Sequence, residues 1–577
     1  MVKKLVRQML AAQIVSALTV SVCLMIDSIM IGRFLGVRAV AAYGLANPVL
    51  LAIGAIGSIL AAGIQVACGK SLGRGSQEET NAGYSSALAA VAAISLAFMA
   101  IVLLIREPLA DWLGAGKSGK LHEDTSAYME GFIIGAPGSM AALVLVPFLQ
   151  MAGQSGLLIA AVLTMTVTDI ALDLLNVLVL HWEMFGMGLA SSLSYYAAMT
   201  VAAVYFLSKK CVFRFSFKRV TLKKIGELFA GGVPAGFNMA SNVLLIFVVN
   251  KILKASGEHA VAAVAAFSVI NTIGNASCCI NTGIGGVSLT LAGIFYNEED
   301  RTSLKELIRC LSRSSLLLGG LMGIALCIFA PQLVHLFIPG RLAVTGLRLY
   351  ALGLIPCCIV NMLKNMYQAT GKPIMTELIS LFEVAALPIC STLVMTALMG
   401  VTGAWLFFVC GETLALALIL IYIRAKSGRA PWKDGAYLLL GSEFGVTEEN
   451  LYETVIHTEQ DVLAASEAAE RFCVSHGQSS KISNHIMLCI EEMAGNVIAH
   501  GFSKDERPHS LYLRILKKPG HWVLRFRDDC HAFDPVSYVP AEGKDALGIR
   551  LVLALTSEAA YTYSLNFNNL TLILNAD

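Results

Sequence analysis

Long apolar stretches separated by short polar ones fill roughly the first three-quarters of the chain. A helix needs about 20 residues to cross about 30 Å of hydrocarbon. Twelve stretches meet that length, near 12–32, 45–66, 84–105, 128–150, 157–180, 186–207, 230–253, 264–294, 312–331, 345–367, 375–399 and 402–423. The eighth is long enough to be tilted or broken. Lys and Arg gather at the N-terminus, at Lys70 and Arg74, over 209–224, around Lys305 and Arg309, at Lys364 and Lys372, and from Arg424 to Lys433. Those points are the start, the even-numbered loops and the end of a twelve-helix path. Positive residues favour the cytoplasmic side, so both termini are expected there, in a bacterial-type inner (plasma) membrane. The MVKKLVRQ start leads into the first span without a small-residue cleavage site.

The pattern is doubled. Ala39-Val40-Ala41-Ala42 returns at Ala260–Ala263, Gly63-Ile64 at Gly283-Ile284, and Gln150–Gly153 at Gln368–Gly371, with offsets of 221, 220 and 218 residues. Three matches in register mark an internal repeat. The expected organisation is a first six-helix lobe over 1–210, a basic connector over 211–224 and a second six-helix lobe over 225–428. Six is even, so both lobes enter the membrane in the same orientation. They are expected to be related by an axis along the membrane normal, with a cavity between them, as in alternating-access carriers.

A polar linker with Pro and Gly follows at 429–450, and the periodicity then changes. Residues 451–577 read as a soluble α+β domain. Strands are predicted at 451–457, 511–516, 522–526 and 570–574, helices at 459–476 and 481–502, and a further helix after the loop at 543–549.

Composition agrees. Hydrophobic residues make up 56% and charged residues 14%, against about 25% charged in soluble domains. The net charge of +2 hides a partition. Residues 1–430 carry 30 Lys and Arg against 20 Asp and Glu, whereas 431–577 carry 12 against 20. An acidic tail argues against nucleic-acid binding. The fourteen cysteines show no CxxC or Cys/His spacing and read as small apolar residues.

Carboxylates inside a bilayer are costly, so each marks a candidate site. Asp27 lies in the first span. Asp169 and Asp173 lie in the fifth, four residues apart on one helical face, with Asn176 three residues further. Their oxygens suit a proton or Na⁺; the alternative is hydrogen bonding between helices. The repeat-related positions, near Val248, Leu387 and Ser391, carry no acid, so an ion site confined to the first lobe is expected. Glu383 and Glu412 fall in the last two spans and are further candidates for cation coupling.

The runs MIDSIMIGRFLG (Met25–Gly36) and AVAAYGLANPV (Ala39–Val49), with the loop Gly73–Glu79, resemble the multidrug and toxic compound extrusion (MATE) family. So does Asp169 with Leu172-Asp173, followed by Gly186-Met187-Gly188-Leu189-Ala190. The resemblance covers about residues 1–428. It implies a two-lobe, twelve-helix antiporter that exports small organic, often cationic, compounds against H⁺ or Na⁺. On that pattern Asp27 and Asp173 match acids tied to cation coupling, and Asp169 stands where Asn is commoner. Asn238, Ser241 and Asn242 occupy the seventh span where some members carry an acid, which weighs against Na⁺ coupling through the second lobe. A major-facilitator carrier shares the helix count, but its basic Gly-Asp-Arg-type signature is missing between the second and third spans.

In the tail, Glu492, Asn496 and His500 recur every fourth residue on one helix face. Asp528-Asp529-Cys530-His531 follows a strand, and a loop from Gly543 to Gly548 leads into a helix start, where backbone N–H groups suit phosphate. In this order the three motifs resemble the GHKL ATP-binding superfamily, most closely its anti-sigma-factor serine kinase branch, over about 451–577. The resemblance implies ATP and Mg²⁺ as cofactors. Asn496 would be the Mg²⁺ ligand, Glu492 a general base, and Asp528 the acceptor from the adenine amino group. Gly543 and Gly548 would bracket the phosphate lid. Cys530 departs from the family's Gly, and no histidine phosphoacceptor motif precedes the domain.

Two functions follow as expectations. One is a gradient-driven exporter with a cytoplasmic ATP-binding regulatory domain. No GxxxxGK[ST] occurs, so ATP is not expected to drive transport. The other is a transporter-derived receptor whose tail acts as a serine kinase or a sequestering module for a cytoplasmic signalling protein; in either case the tail is a candidate for serine/threonine kinase or ATPase activity. The intramembrane acids favour the first, and the Glu/Asn/Asp set favours the second.

Overall fold

A computed structural model describes residues 2–208, 211–255, 260–337, 341–431, 436–441, 444–504, 507–539 and 546–576. The first half of the membrane part runs α1 (Val2–Met30), α2 (Val37–Gly73), α3 (Gln77–Ala110), α4 (Lys120–Ile133), α5 (Ala136–Met151), α6 (Ser155–Leu175) and α7 (Glu183–Phe206). The second half runs α8 (Leu222–Lys254), α9 (Ala260–Ser277), α10 (Cys279–Asn297), α11 (Arg301–His335), α12 (Arg341–Leu352), α13 (Leu354–Ala369) and α14 (Pro373–Ser380). It closes with α15 (Leu387–Met399), the single turn α16 (Val401–Ala404) and α17 (Phe407–Ser427). Their outer faces present large apolar side chains such as Leu104, Leu317 and Ile324, a surface suited to lipid. The two halves meet where small residues allow close approach. A Cβ on Gly63 of α2 would fall on the Leu228 carbonyl of α8, and one on Gly232 would fall on the Ile59 carbonyl.

Among the described residues, ten single helices are long and apolar enough to cross a membrane, and two bent pairs bring the count to twelve. α4 and α5 are bent by 48°, α12 and α13 by 46°. The breaks fall at Gly135 and Gly353, 218 residues apart, the offset of the third sequence match. The repeat extends to backbone geometry. Gly153 donates to the Gln150 carbonyl and Gln154 to that of Leu149; Gly371 donates to Gln368 and Lys372 to Tyr367. Both glycines sit at φ +74°, a conformation that only glycine adopts without strain. The long eighth stretch is broken at Cys278, between α9 and α10.

The tail comprises α18 (Glu459–Ser475), α19 (Ser480–Asn496), α20 (Leu547–Leu555) and five antiparallel strands in the order β1-β2-β3-β5-β4. These are β1 (Leu451–Ile456), β2 (Leu511–Lys518), β3 (His521–Asp528), β4 (Glu558–Ser564) and β5 (Phe567–Asn575). Thr458 and Asp461 form a capping box that starts α18. β4 was not anticipated: its Glu-Ala-Ala start has low strand propensity, and as an edge strand it pairs only with β5. One sheet face, carrying Leu513, Trp522, Leu524 and Leu572, packs on α18 and α19. Because side chains alternate along a strand, Arg514, Arg525 and Arg527 fall on the opposite face.

Candidate functional site

Packing of α1 on α6 brings Asp27 within reach of Asp169 and Asp173. All three are buried, Asp173 to 1% exposure. Asp27 Oδ1, Asp169 Oδ1 and both Asp173 oxygens have no hydrogen-bond donor. Among the described residues, no cationic side chain ranks among the chief influences on them. An ionised carboxylate only accepts hydrogen bonds, so a shared proton or a bound cation is the kind of group that could satisfy acids facing one another in this way. Ser191, Ser194, Tyr43 and Tyr195 border the group. Sequence reasoning missed these four; the polar run Ser191-Ser192-Leu193-Ser194 in an apolar span is the available signal.

Asn176 does a different job. Its Oδ1 accepts from the Trp182 N–H at 3.0 Å and its Nδ2 donates to the Glu183 carbonyl at 3.0 Å. The amide thus ties the turn between α6 and α7, and Gly186 leaves it room.

The second half holds its own buried polar group. Glu383, in the wide turn between α14 and α15, receives a hydrogen bond from Lys364 Nζ at 2.7 Å. Cys357 Sγ and carboxylate oxygens of Glu383 and Glu412 lie within 4.8 Å of one another, and Glu412 Oε2 has no partner. One expectation is corrected here. Lys364 is not a loop cation but a buried residue of α13, held there because Glu383 neutralises it. Glu383 and Glu412 are buried, as their place in the last two spans leads one to expect, at positions that the repeat does not relate to Asp27, Asp169 and Asp173.

In the tail, α19 carries Glu492 and Asn496, and the Glu492 carboxylate lies against Gly548 at the start of α20. Asp528 ends β3, buried, and accepts from Asn568 Nδ2 at 2.7 Å and the Cys530 N–H at 3.1 Å. Burial pushes its carboxyl above the usual range. A Cβ on Gly501 would lie 3.0 Å from Cys530 Sγ, so the end of β3 packs beside the turn that follows α19. Three motifs distant in sequence thus converge. Gly543 lies outside the described residues.

The opposite sheet face meets an acidic turn between α10 and α11. Arg514 pairs with Asp300 and, at 2.9 Å, with Glu453; Arg527 pairs with Glu298 at 2.6 Å; Lys518 pairs with Glu299. Burial opposes ionisation of Asp300, yet the Arg514 guanidinium and the Ser303 hydrogen bonds hold its carboxyl below the usual range. The β4–β5 turn reaches the first half: Leu565 N–H donates to the Met151 carbonyl at 2.6 Å, and Asn566 Nδ2 donates to that of Gly153 at 2.9 Å. The tail therefore touches both halves of the bundle.

The MatE family model matches residues 12–175 and 234–394. The multidrug export protein MepA of Staphylococcus saprophyticus is 24% identical over 333 residues, 56% of this chain and 71% of the relative. MepA of Staphylococcus aureus strain MRSA252 is 23% identical over 396 residues, 66% and 85% of the two chains. Among solved structures, a MOP superfamily transporter from Pyrococcus furiosus is 18% identical with a TM-score of 0.68, covering 75% of this chain and 97% of that one. A mutant of the Vibrio cholerae MATE transporter VcmN is 17% identical with a TM-score of 0.66, covering 76% and 98%. The structural likeness speaks for the fold, and the family model spans more than half the chain in two segments: the chain is a polytopic helical membrane protein that belongs to the MatE family.

Proposed function

We propose that the membrane part exports small organic compounds in exchange for H⁺ or Na⁺, and that the tail binds Mg-ATP and regulates it from the cytoplasmic side. The observation that carries the transport reading is the buried group Asp27, Asp169 and Asp173, whose unpartnered oxygens meet no cationic side chain among the described residues. Its charge differs between the loaded and unloaded states, so an ion bound there biases the packing of α1 on α6 and couples the gradient to a conformational equilibrium. Organic substrates are supported by relatives named as multidrug export proteins. The convergence of Glu492, Asn496, Gly548 and Asp528 supports nucleotide binding. Contacts of the tail with both halves supply a route from nucleotide state to transport.

The test is export of lipophilic cations by the purified chain in liposomes, under imposed H⁺ or Na⁺ gradients, with and without Mg-ATP on the tail side. Gradient-dependent export without ATP is expected. Asp173→Asn should abolish it, while Asn496→Ala should leave it intact and remove the response to Mg-ATP. Export unchanged by Asp173→Asn overturns the coupling assignment. The Glu492, Asn496 and Asp528 set favours a second reading, a receptor with a kinase-like tail, and absence of export under every gradient with Mg-ATP still bound would select it.

A further inference from the structure

A cavity of about 1240 Å³ opens on the tail side of the second half, between α11, α14, α17 and the linker segment at 436–441. Arg301, Lys305, Lys372, Lys426 and Arg429 line it, and among the described residues no carboxylate does. Two of these cations are anchored by neutral carbonyls, which orient them without cancelling their charge. Lys372 Nζ donates to the Leu438 and Leu439 carbonyls at 2.8 and 2.9 Å, and Arg301 donates to that of Gly441 at 3.3 Å. Lys305, Lys426 and Arg429 form no ion pair among the described residues.

The opposite wall is apolar and exposed. Ile374, Leu378 and Phe382 follow one another at four-residue spacing along α14 and the wide turn after it. Leu418 and Tyr422 do the same on α17. Such stripes belong to the lipid-facing surface of helices that begin or end at this level of the bundle. The cavity therefore joins a cluster of uncompensated positive charge, at headgroup height, to a greasy face open to the bilayer. Basic pockets between membrane helices suit acidic headgroups. An unattached anion would use the charges but leave the apolar wall without a partner, and a zwitterionic lipid would use the wall but not the charges.

We propose that this groove holds one anionic phospholipid, its phosphate among Lys305, Lys426 and Arg429 and its acyl chains along α14 and α17. The site is separate from Asp27, Asp169 and Asp173, and the assignment stands whether or not the chain exports organic compounds. Since the linker to the tail forms one wall, an occupied groove also braces the segment from which the tail hangs.

Native mass spectrometry of the delipidated full chain, titrated with phosphatidylglycerol or with phosphatidylcholine of equal chain length, tests this. One phosphatidylglycerol should be retained in preference to phosphatidylcholine. Lys426→Gln with Arg429→Gln should cut that preference about 25-fold, roughly fivefold for each basic charge removed. Arg214→Gln with Lys218→Gln, the same loss of charge at two exposed connector positions, should leave it unchanged. Equal retention of both lipids by the unsubstituted chain overturns the proposal without recourse to any variant. So does a preference lost equally in the connector variant, and so does displacement of the lipid by glycerol 3-phosphate, which would make the groove a site for free anions.

Discussion

Asp300→Asn isolates the electrostatic part of the tail's docking. Asp300 caps α11 by accepting from the Ser303 N–H at 2.8 Å, and Asn caps a helix about as well as Asp. The substitution therefore removes the charge while keeping the helix start. What it leaves is Arg514, whose side chain is 20% exposed, with Glu453 as its remaining partner. Breaking a fully buried pair costs about 3–5 kcal/mol. Because Glu453 remains and Arg514 is partly hydrated, the docking equilibrium should shift by about 2–3 kcal/mol, roughly 30- to 150-fold. The contact of Lys518 with Glu299 supplies the readout. A carbodiimide should join them by a zero-length amide, measured by mass spectrometry of the digested chain, and the yield should fall in Asp300→Asn. Pairing the charge-swapped Asp300→Arg with Arg514→Asp should restore part of it. The pH dependence has a defined sign. Because the folded Asp300 carboxyl lies below its ordinary value of 3.8, its contribution is fully present above that value and is lost as pH falls through the lower, docked-state value. Crosslinking unchanged by Asp300→Asn would refute the argument that these charges hold the tail in place.

Two further outcomes follow from the buried groups. Lys364→Met strands Glu383 without its cation and should destabilise the detergent-solubilised chain by about 3–5 kcal/mol in thermal unfolding. Adding Glu383→Gln should recover most of that loss, and no recovery would mean that Lys364 acts through packing. In the tail, Asp528→Asn keeps an oxygen to accept from Asn568 and Cys530, so the fold should persist. ATP affinity in a titration should nevertheless drop at least tenfold, consistent with about 1.5–3 kcal/mol for a hydrogen bond to a charged group.

Much of this protein is written locally in its sequence. In a bilayer every backbone polar group must be satisfied within its own segment, so length and hydropathy alone predict the twelve crossings. The Gln150–Gly153 and Gln368–Gly371 turns match in sequence and again in hydrogen bonding, because a glycine at positive φ is a local requirement. Alternation along 511–516 and 522–526 placed two of the tail strands for the same reason. What only the tertiary structure decided is which charges meet. Lys364 sits beside basic loops in the chain and looks like a topological marker, until the fold brings Glu383 across to it. Asn176 has the spacing of a ligand, yet the turn after α6 claims both ends of its amide. Arg514 and Asp300 are 214 residues apart, and no periodicity relates a strand of the tail to a turn of the bundle. A charge finds its partner through the packing of distant elements, and the cost of burying it alone is what makes that pairing decisive.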